Sequence, residues 1–180
     1  MKRTNFFSVS AGMLALASSA GAQAADSQAD CLLEEEISAI VVYAMPQLIA
    51  ATQTGCKAQL SPQGFIATGG AAMGQHYAER ADATWPLAKS ALVKFGGGAN
   101  AKDIGELLKL PDSAMRPFLD GMIQQKVAEA IKPGSCHDIE HLAEVVSQID
   151  PATTGALIGA IAAIVIKDKD KPKVCAAIRS

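Results

Sequence analysis

The sequence predicts an all-α protein, a small single-domain helical bundle of about five to seven helices held together by two disulfides. Apolar residues recur at spacings of three and four along most of the chain, which is the period of an amphipathic helix. Alanine and leucine are frequent and runs of β-branched residues are few, a composition that favours helix over strand. The four cysteines are an even number, which in an exported chain predicts two disulfides.

The first 24 residues have the organisation of a signal peptide. Lys2 and Arg3 give a positive start, residues 6–20 carry no charge, and Ala22-Gln23-Ala24 is the small-x-small pattern that signal peptidase cleaves. The apolar run is short and no basic stop-transfer cluster follows it, which disfavours a membrane anchor. We therefore expect cleavage after Ala24, a mature domain of residues 25–180 without a stable membrane span, and a periplasmic or secreted location.

The size and charge of the mature chain limit what it can do. Its 156 residues suffice for one domain with a hydrophobic core and are too few for two. The leader contains two of the 16 basic residues and none of the 18 acidic ones, so the mature chain carries 14 and 18, a net charge of −4. A mildly acidic chain without a basic stripe does not suit a nucleic-acid partner.

The first helix is expected to begin at three consecutive acids, Glu34 to Glu36, because the helix dipole favours negative charge there. We expect these acids to form a solvated face. Pro46 should kink or end the helix, and Gly55 should close the segment. The apolar residues that share one face of this helix are Leu33, Ile37, Ile40, Ala44 and Leu48.

Glycines and prolines divide the helical pattern in the middle of the chain. Residues 65–80 are interrupted by glycine and give a weak helical pattern. A clearer helix is predicted over residues 85–95 and ends at the glycines of a loop over 96–102. A short helical piece over 104–110 stops at a proline, and a further amphipathic helix is predicted over residues 117–131.

Two helices are predicted near the C-terminus, over residues 138–149 and 152–166, separated by the turn and N-cap Asp150-Pro151. Because the joint is so short, we expect an antiparallel hairpin. The small side of the second helix, with Gly155 and Gly159, should pack against the first. The large residues of the second helix should fill the core: Leu157, Ile161 and Ile164.

The cysteines bracket these helices, which suggests a pairing. Cys31 and Cys56 flank the first helix, and Cys136 and Cys175 flank the C-terminal hairpin. Four cysteines allow three connectivities, and sequence alone does not choose among them. We favour Cys31–Cys56 with Cys136–Cys175, each bridge stabilising the fold by roughly 2–4 kcal/mol.

His137 and His141 are the candidate metal ligands. On a helix they face the same way and could share zinc or copper, with Glu144, Asp138 or His76 completing the site. The string also matches the H-x-x-E-H motif of zinc proteases, but that family takes a third ligand from a glutamate far downstream. Here the last glutamate is Glu144, one turn away, so a protease is excluded. The alternative is a solvated first helical turn, and we expect no metal and no other cofactor.

No catalytic set is recognisable in the sequence. Cys136 and His137 are adjacent and would point in different directions on a helix, and the cysteine is better explained by a disulfide. The chain contains no Gly-x-Ser-x-Gly elbow, and the glycines at 96–98 are not followed by the Gly-Lys-Ser/Thr of a phosphate loop. We therefore expect a protein that is not an enzyme.

The expected function is that of an exported, non-catalytic module that binds another protein in the bacterial envelope. The alternative is a carrier of a small, lipid-like apolar ligand, for which the small-residue face over 66–73 and the final helix leave room. Two further alternatives rank lower, a simple metal binder and a membrane-active protein. The latter would use residues 152–166, which are uncharged but span only about 22 Å against a ~30 Å hydrocarbon core.

Overall fold

The computed structural model describes residues 31–96, 106–107, 109–166 and 173–175. Three sequence predictions concern residues outside these ranges: the signal peptide, the loop beyond Gly96 and most of the short helical piece over 104–110. The signal peptide and the boundary of the mature domain therefore stay predictions.

The predicted all-α class is confirmed. The described residues form six α-helices and no β-strand, with a single turn of 3-10 helix at Pro133–Ser135. The α-helices are α1 (Glu34–Gly55), α2 (Phe65–Thr68), α3 (Gly70–Gly96), α4 (Asp112–Ala130), α5 (Cys136–Val146) and α6 (Pro151–Val165).

Helix α1 is the centre of the bundle, because α3, α4 and α6 all pack along it. Helix α3 runs antiparallel to α1, since its first residue, Gly70, lies beside Ile49 and Lys94 near its end is bonded to Glu36. Helix α4 runs parallel to α1, and the residue after it, Ile131, lies against Gly55. The short α2 lies between α3 and α5.

Of the two expectations for Pro46, a kink or an end of the first helix, the second is wrong. Helix α1 continues through Pro46 to Gly55 as a single element of 22 residues. The buried side chains on either side of the proline, Val42, Met45 and Ile49, all belong to one hydrophobic cluster. Burial of these residues outweighs the hydrogen bond that the proline removes, since most helical stability in proteins comes from packing of the apolar face.

Helix α3 begins much earlier than the sequence predicts, at Gly70 instead of residue 85. Met73 and Tyr77 are buried in the same cluster as the middle of α1, so packing holds the glycine-interrupted stretch in a helix.

The predicted antiparallel hairpin of the last two helices is also wrong. Asp150 does cap α6, since its carboxylate accepts hydrogen bonds from the backbone N–H groups of Ala152 and Thr153 at 2.9 and 3.4 Å. However, the chain turns by 120° between α5 and α6, and α6 packs along α1 instead of α5. Its small side faces α1: a Cβ on Gly155 would lie 2.6 Å from Ser38 Oγ.

The large residues of α6 do not fill the core as expected. The buried side of the helix consists of small residues and Pro151 and Thr154, so the bulky residues are on its outer side. Leu157, Ile161 and Ile164 are 52, 50 and 76% exposed. Among the described residues, α6 therefore presents an uncharged apolar face to solvent.

The two disulfides are present, but their pairing is Cys31–Cys175 and Cys56–Cys136, not the pairing that the sequence favoured. The physical reason is that α1 is unbroken, so its 22 residues hold Cys31 and Cys56 about 33 Å apart. The C-terminal segment returns to the start of α1, where Leu32 and Val174 form a parallel backbone bridge. Two disulfides are typical of an oxidising, extracytoplasmic compartment.

One described helix, α1, is long and apolar enough to cross a membrane by length and composition. A core helix of a soluble protein passes the same test, and α1 packs against three other helices.

Candidate functional site: an apolar groove along α1

An apolar groove lies on the side of α1 that faces α5. Its volume is about 450 Å³ and it is open to solvent. The residues that line it are Ile40, Val41, Ala44, Met45, Leu48, Ile49, Thr52, Met73, Val127, Ile131, Ile139, Leu142, Ala143, Val146 and Ile158.

The floor of the groove is a continuous stripe along α1. The lining residues of α1 fall at steps of one, three, one, three, one and three from Ile40 to Thr52, which keeps them on one face of the helix. From Ile40 to Thr52 the stripe advances by twelve residue steps, or about 18 Å at 1.5 Å per step. Ala44, four residues from the start of the stripe, has its smallest side chain.

The opposite wall comes from α4, α5 and α6, and Met73 of α3 also lines the groove. Val127 and Ile131, at the end of α4, stand near the C-terminal end of α1, and α5 supplies the middle of the wall. Ile158 of α6 contributes to the N-terminal half, since α6 runs antiparallel to α1 with Gly155 beside Ser38 and Val42. The Cys56–Cys136 disulfide joins the end of α1 to the start of α5 and so fixes the distance between floor and wall.

The groove offers a ligand no charge and almost no hydrogen-bonding group. Among its lining residues Thr52 alone has a polar side chain, and its hydroxyl donates to the Leu48 carbonyl at 2.9 Å. The lip is exposed, with Leu142 62% accessible to solvent. Such a surface binds by removing apolar area from water and suits catalysis poorly, because no lining side chain can accept or donate a proton in a reaction.

The histidines named by the sequence lie outside this groove. His137 and His141 are both exposed on α5. The glutamate between them, Glu140, has a structural role, since its carboxylate accepts a hydrogen bond from the backbone N–H of Ile66 at 3.2 Å and so caps α2. Within the described ranges, no group of three or more His, Cys, Asp or Glu side chains is placed to hold a metal ion.

Glu36 is not part of a solvated face, as the sequence predicts for the first-turn acids, but is buried. Its carboxylate accepts hydrogen bonds from Lys94 Nζ at 2.7 Å, Ser90 Oγ at 2.6 Å and the Leu33 backbone N–H at 2.8 Å. Burial alone would raise the pKa of Glu36, but these donors outweigh burial and hold that pKa below its ordinary value. The group joins the start of α1 to the end of α3.

A second polar cluster joins α1, α3 and α4 around Trp85. The indole N–H donates to Asp112 at 2.8 Å, the guanidinium of Arg116 lies 4.7 Å from the ring centre, and the Tyr43 ring is 5.1 Å away. Burial and a hydrogen bond to Asp120 raise the pKa of Tyr43 well above its usual range. Because these groups are paired with one another, we interpret the cluster as structural.

The sequence predicted one side of the groove as a single face but not where the other side lies. Its predicted apolar face on the first helix includes Ile40, Ala44 and Leu48, and all three line the groove. The amphipathic helices predicted near residues 117–131 and 138–149 supply most of the opposite wall, including Val127, Ile131 and Leu142. Their position beside α1 could not be predicted, because it depends on how α4, α5 and α6 pack around α1. Of the small-residue face over 66–73, Met73 reaches the groove, whereas Ile66 is buried in the core beside it.

Comparison of the chain with protein-family models, with curated proteins and with solved structures finds no match.

Proposed function

We propose that this chain is an exported, non-catalytic carrier that holds a small apolar ligand in the groove along α1. The observation that carries the proposal is the groove itself: about 450 Å³ of open space with an almost entirely apolar lining. Ligand pockets commonly have volumes of roughly 300–1,000 Å³ and predominantly apolar walls. For this reason the carrier comes ahead of the protein-binding module that sequence analysis places first.

A carrier of this kind gains affinity from the area that the ligand and the groove together remove from water. Each methylene group transferred from water into an apolar site contributes about 0.8 kcal/mol. Leu142 and Ile158 are partly exposed at the lip and would be covered by a bound ligand. The two disulfides are consistent with work outside the cytoplasm, and the predicted leader supports a periplasmic or secreted location.

Two exposed residues of α5 give a matched test. Leu142 lines the groove and Val145 does not, and both are at least half exposed, so aspartate at either position should be tolerated by the fold. We expect the wild-type chain to bind an environment-sensitive apolar dye at one site per molecule. Leu142→Asp should weaken that binding about tenfold, because it puts a carboxylate at an apolar lip, while Val145→Asp stays within twofold.

Dye fluorescence titration measures both variants, and circular dichroism checks that they fold. A wild-type chain that binds no dye, or two variants that behave alike, would contradict the carrier.

The exposed face of α6 favours a second function, contact with a protein partner. Leu157, Ile161, Ile164 and Val165 are all at least half exposed on a helix without a charged residue, and exposed apolar patches mark interaction sites. A photo-crosslinker at Ile164 should capture a defined envelope protein that a crosslinker at Glu79 on α3 does not capture. The purified partner should then bind the wild-type chain and lose that binding to Ile164→Asp.

A further inference from the structure

The dimensions of the groove indicate which class of apolar ligand it would hold. We propose that the ligand is a single, unbranched acyl or alkyl chain of about 14–16 carbons that lies along α1 with its polar headgroup outside the groove. This inference rests on the proposed carrier function and names its ligand class.

The length of the groove gives the first estimate of chain length. Its floor extends about 18 Å along α1, from Ile40 to Thr52. A fully extended peptide backbone advances about 3.3–3.6 Å per residue, or roughly 1.2 Å per bond, and an extended alkyl chain has similar bond lengths and angles. The floor therefore accommodates about 15 bonds.

The volume gives a second and separate estimate. A methylene group takes up about the space of a water molecule in the liquid, roughly 30 Å³. The 450 Å³ of the groove therefore holds about 15 methylene groups. Because length and volume give the same number, a single chain of about this size would fill the groove.

The chemistry of the lining decides where the headgroup lies. The side chains that line the groove are aliphatic or methionine, except Thr52, whose hydroxyl is already bonded to the Leu48 carbonyl. A buried carboxylate, phosphate or hydroxyl would be left without a partner there, which costs several kcal/mol in an apolar site, whereas in solvent it stays hydrated. Binding should therefore depend on the chain and hardly on the headgroup.

The primary test needs no variant of the protein. Purified chain is titrated with straight-chain fatty acids of 6 to 20 carbons and with the matching fatty alcohols, and each displaces the apolar dye. Affinity should rise two- to fourfold per added carbon, level off at 14–16 carbons, and differ less than threefold between acid and alcohol.

A variant tests whether the ligand lies along α1. Ala44 is four residues from Ile40 and eight from Thr52, so Ala44→Phe should block the groove with about 12 Å left on its longer side. The preferred chain should shorten to about ten carbons. Ala78→Phe, at an exposed position of α3 outside the groove, should leave the preference at 14–16. If Ala44→Phe fails to fold, the wild-type series still decides.

The outcomes separate the two proposals. A flat dependence on chain length, a tenfold preference for acids over alcohols, or tighter binding of fused-ring compounds with the same carbon number would overturn the acyl-chain inference while leaving the carrier in place. If neither the dye nor any chain binds, the carrier function itself fails.

Discussion

The two long sides of α1 are packed differently: one is filled by side chains, and the other leaves an open groove. On the side toward α3 and the first half of α4, Tyr43 and Trp85 fill the space with aromatic rings, and nearby carboxylates find hydrogen-bond donors. On the side toward α5 and α6, the neighbours are aliphatic or small, and about 450 Å³ stays open. The closed side fixes the bundle, which allows the open side to stay unfilled without collapse of the fold.

The largest effect is expected when each disulfide is removed in turn. The loops closed by Cys56–Cys136 and Cys31–Cys175 span 80 and 144 positions, so either double alanine variant should lose about 4–5 kcal/mol of unfolding free energy. The two should differ in ligand binding. Loss of Cys56–Cys136 frees α5 from α1 and should weaken dye binding at least fivefold in the molecules that remain folded.

The Cys31–Cys175 variant is the matched control, because that bridge joins the two ends of the described chain away from the groove. Urea denaturation gives the stabilities, and dye titration at low temperature gives the binding. Equal loss of binding in both variants would show that the groove does not depend on its own disulfide.

A smaller change in stability is expected when the buried ion pair of Glu36, on the closed side of α1, is removed. Glu36→Gln removes the charge that faces Lys94 in a nearly buried pair and should cost about 3 kcal/mol at pH 7. Since the folded pKa of Glu36 lies below its unfolded value, its stabilisation is complete above about pH 4.5. That stabilisation should disappear as the pH falls through the folded pKa.

The difference in unfolding free energy between wild type and Glu36→Gln, measured by urea denaturation from pH 7 to pH 2.5, should therefore shrink toward zero in acid. Glu129→Gln, at an exposed carboxylate on α4, serves as control and should show a much smaller difference at every pH. A difference for Glu36→Gln that does not change with pH would mean that the ion pair is not its source.

The smallest expected change in stability concerns the close contact between α1 and α6, which we call the seam. A Cβ at Gly159 would lie 2.7 Å from the Glu34 carbonyl oxygen, so Gly159→Ala should push α6 outward and cost about 1–3 kcal/mol. Gly121→Ala in α4 has no atom within 4 Å of the new methyl group and should stabilise the protein by about 0.5–1 kcal/mol through helix propensity. Thermal melts of both variants should shift in opposite directions, and a stabilising Gly159→Ala would contradict the seam.

The features that could be predicted from the sequence are those that depend on interactions between residues close together in the chain. Helical periodicity is local, so the α class, the Asp150 cap and the end of α1 near Gly55 could all be read from neighbouring residues. The continuation of α1 through Pro46 could not, because it depends on clusters that join residues far apart in the chain. For the same reason only the floor of the groove could be predicted as one surface, because it lies on a single helix. The wall is formed by helices that come together only through tertiary packing.

The nested order of the disulfides has a consequence for how the protein matures. A chain that leaves the ribosome or crosses a membrane from its N-terminus presents Cys31 and Cys56 first, and in the finished fold these two are not partners. Oxidation at that stage yields a bridge that must later be reopened by thiol attack through a mixed disulfide. We therefore expect correct assembly in the cell to require a disulfide isomerase as well as an oxidant, because the order of emergence favours the pairing that the native structure rejects.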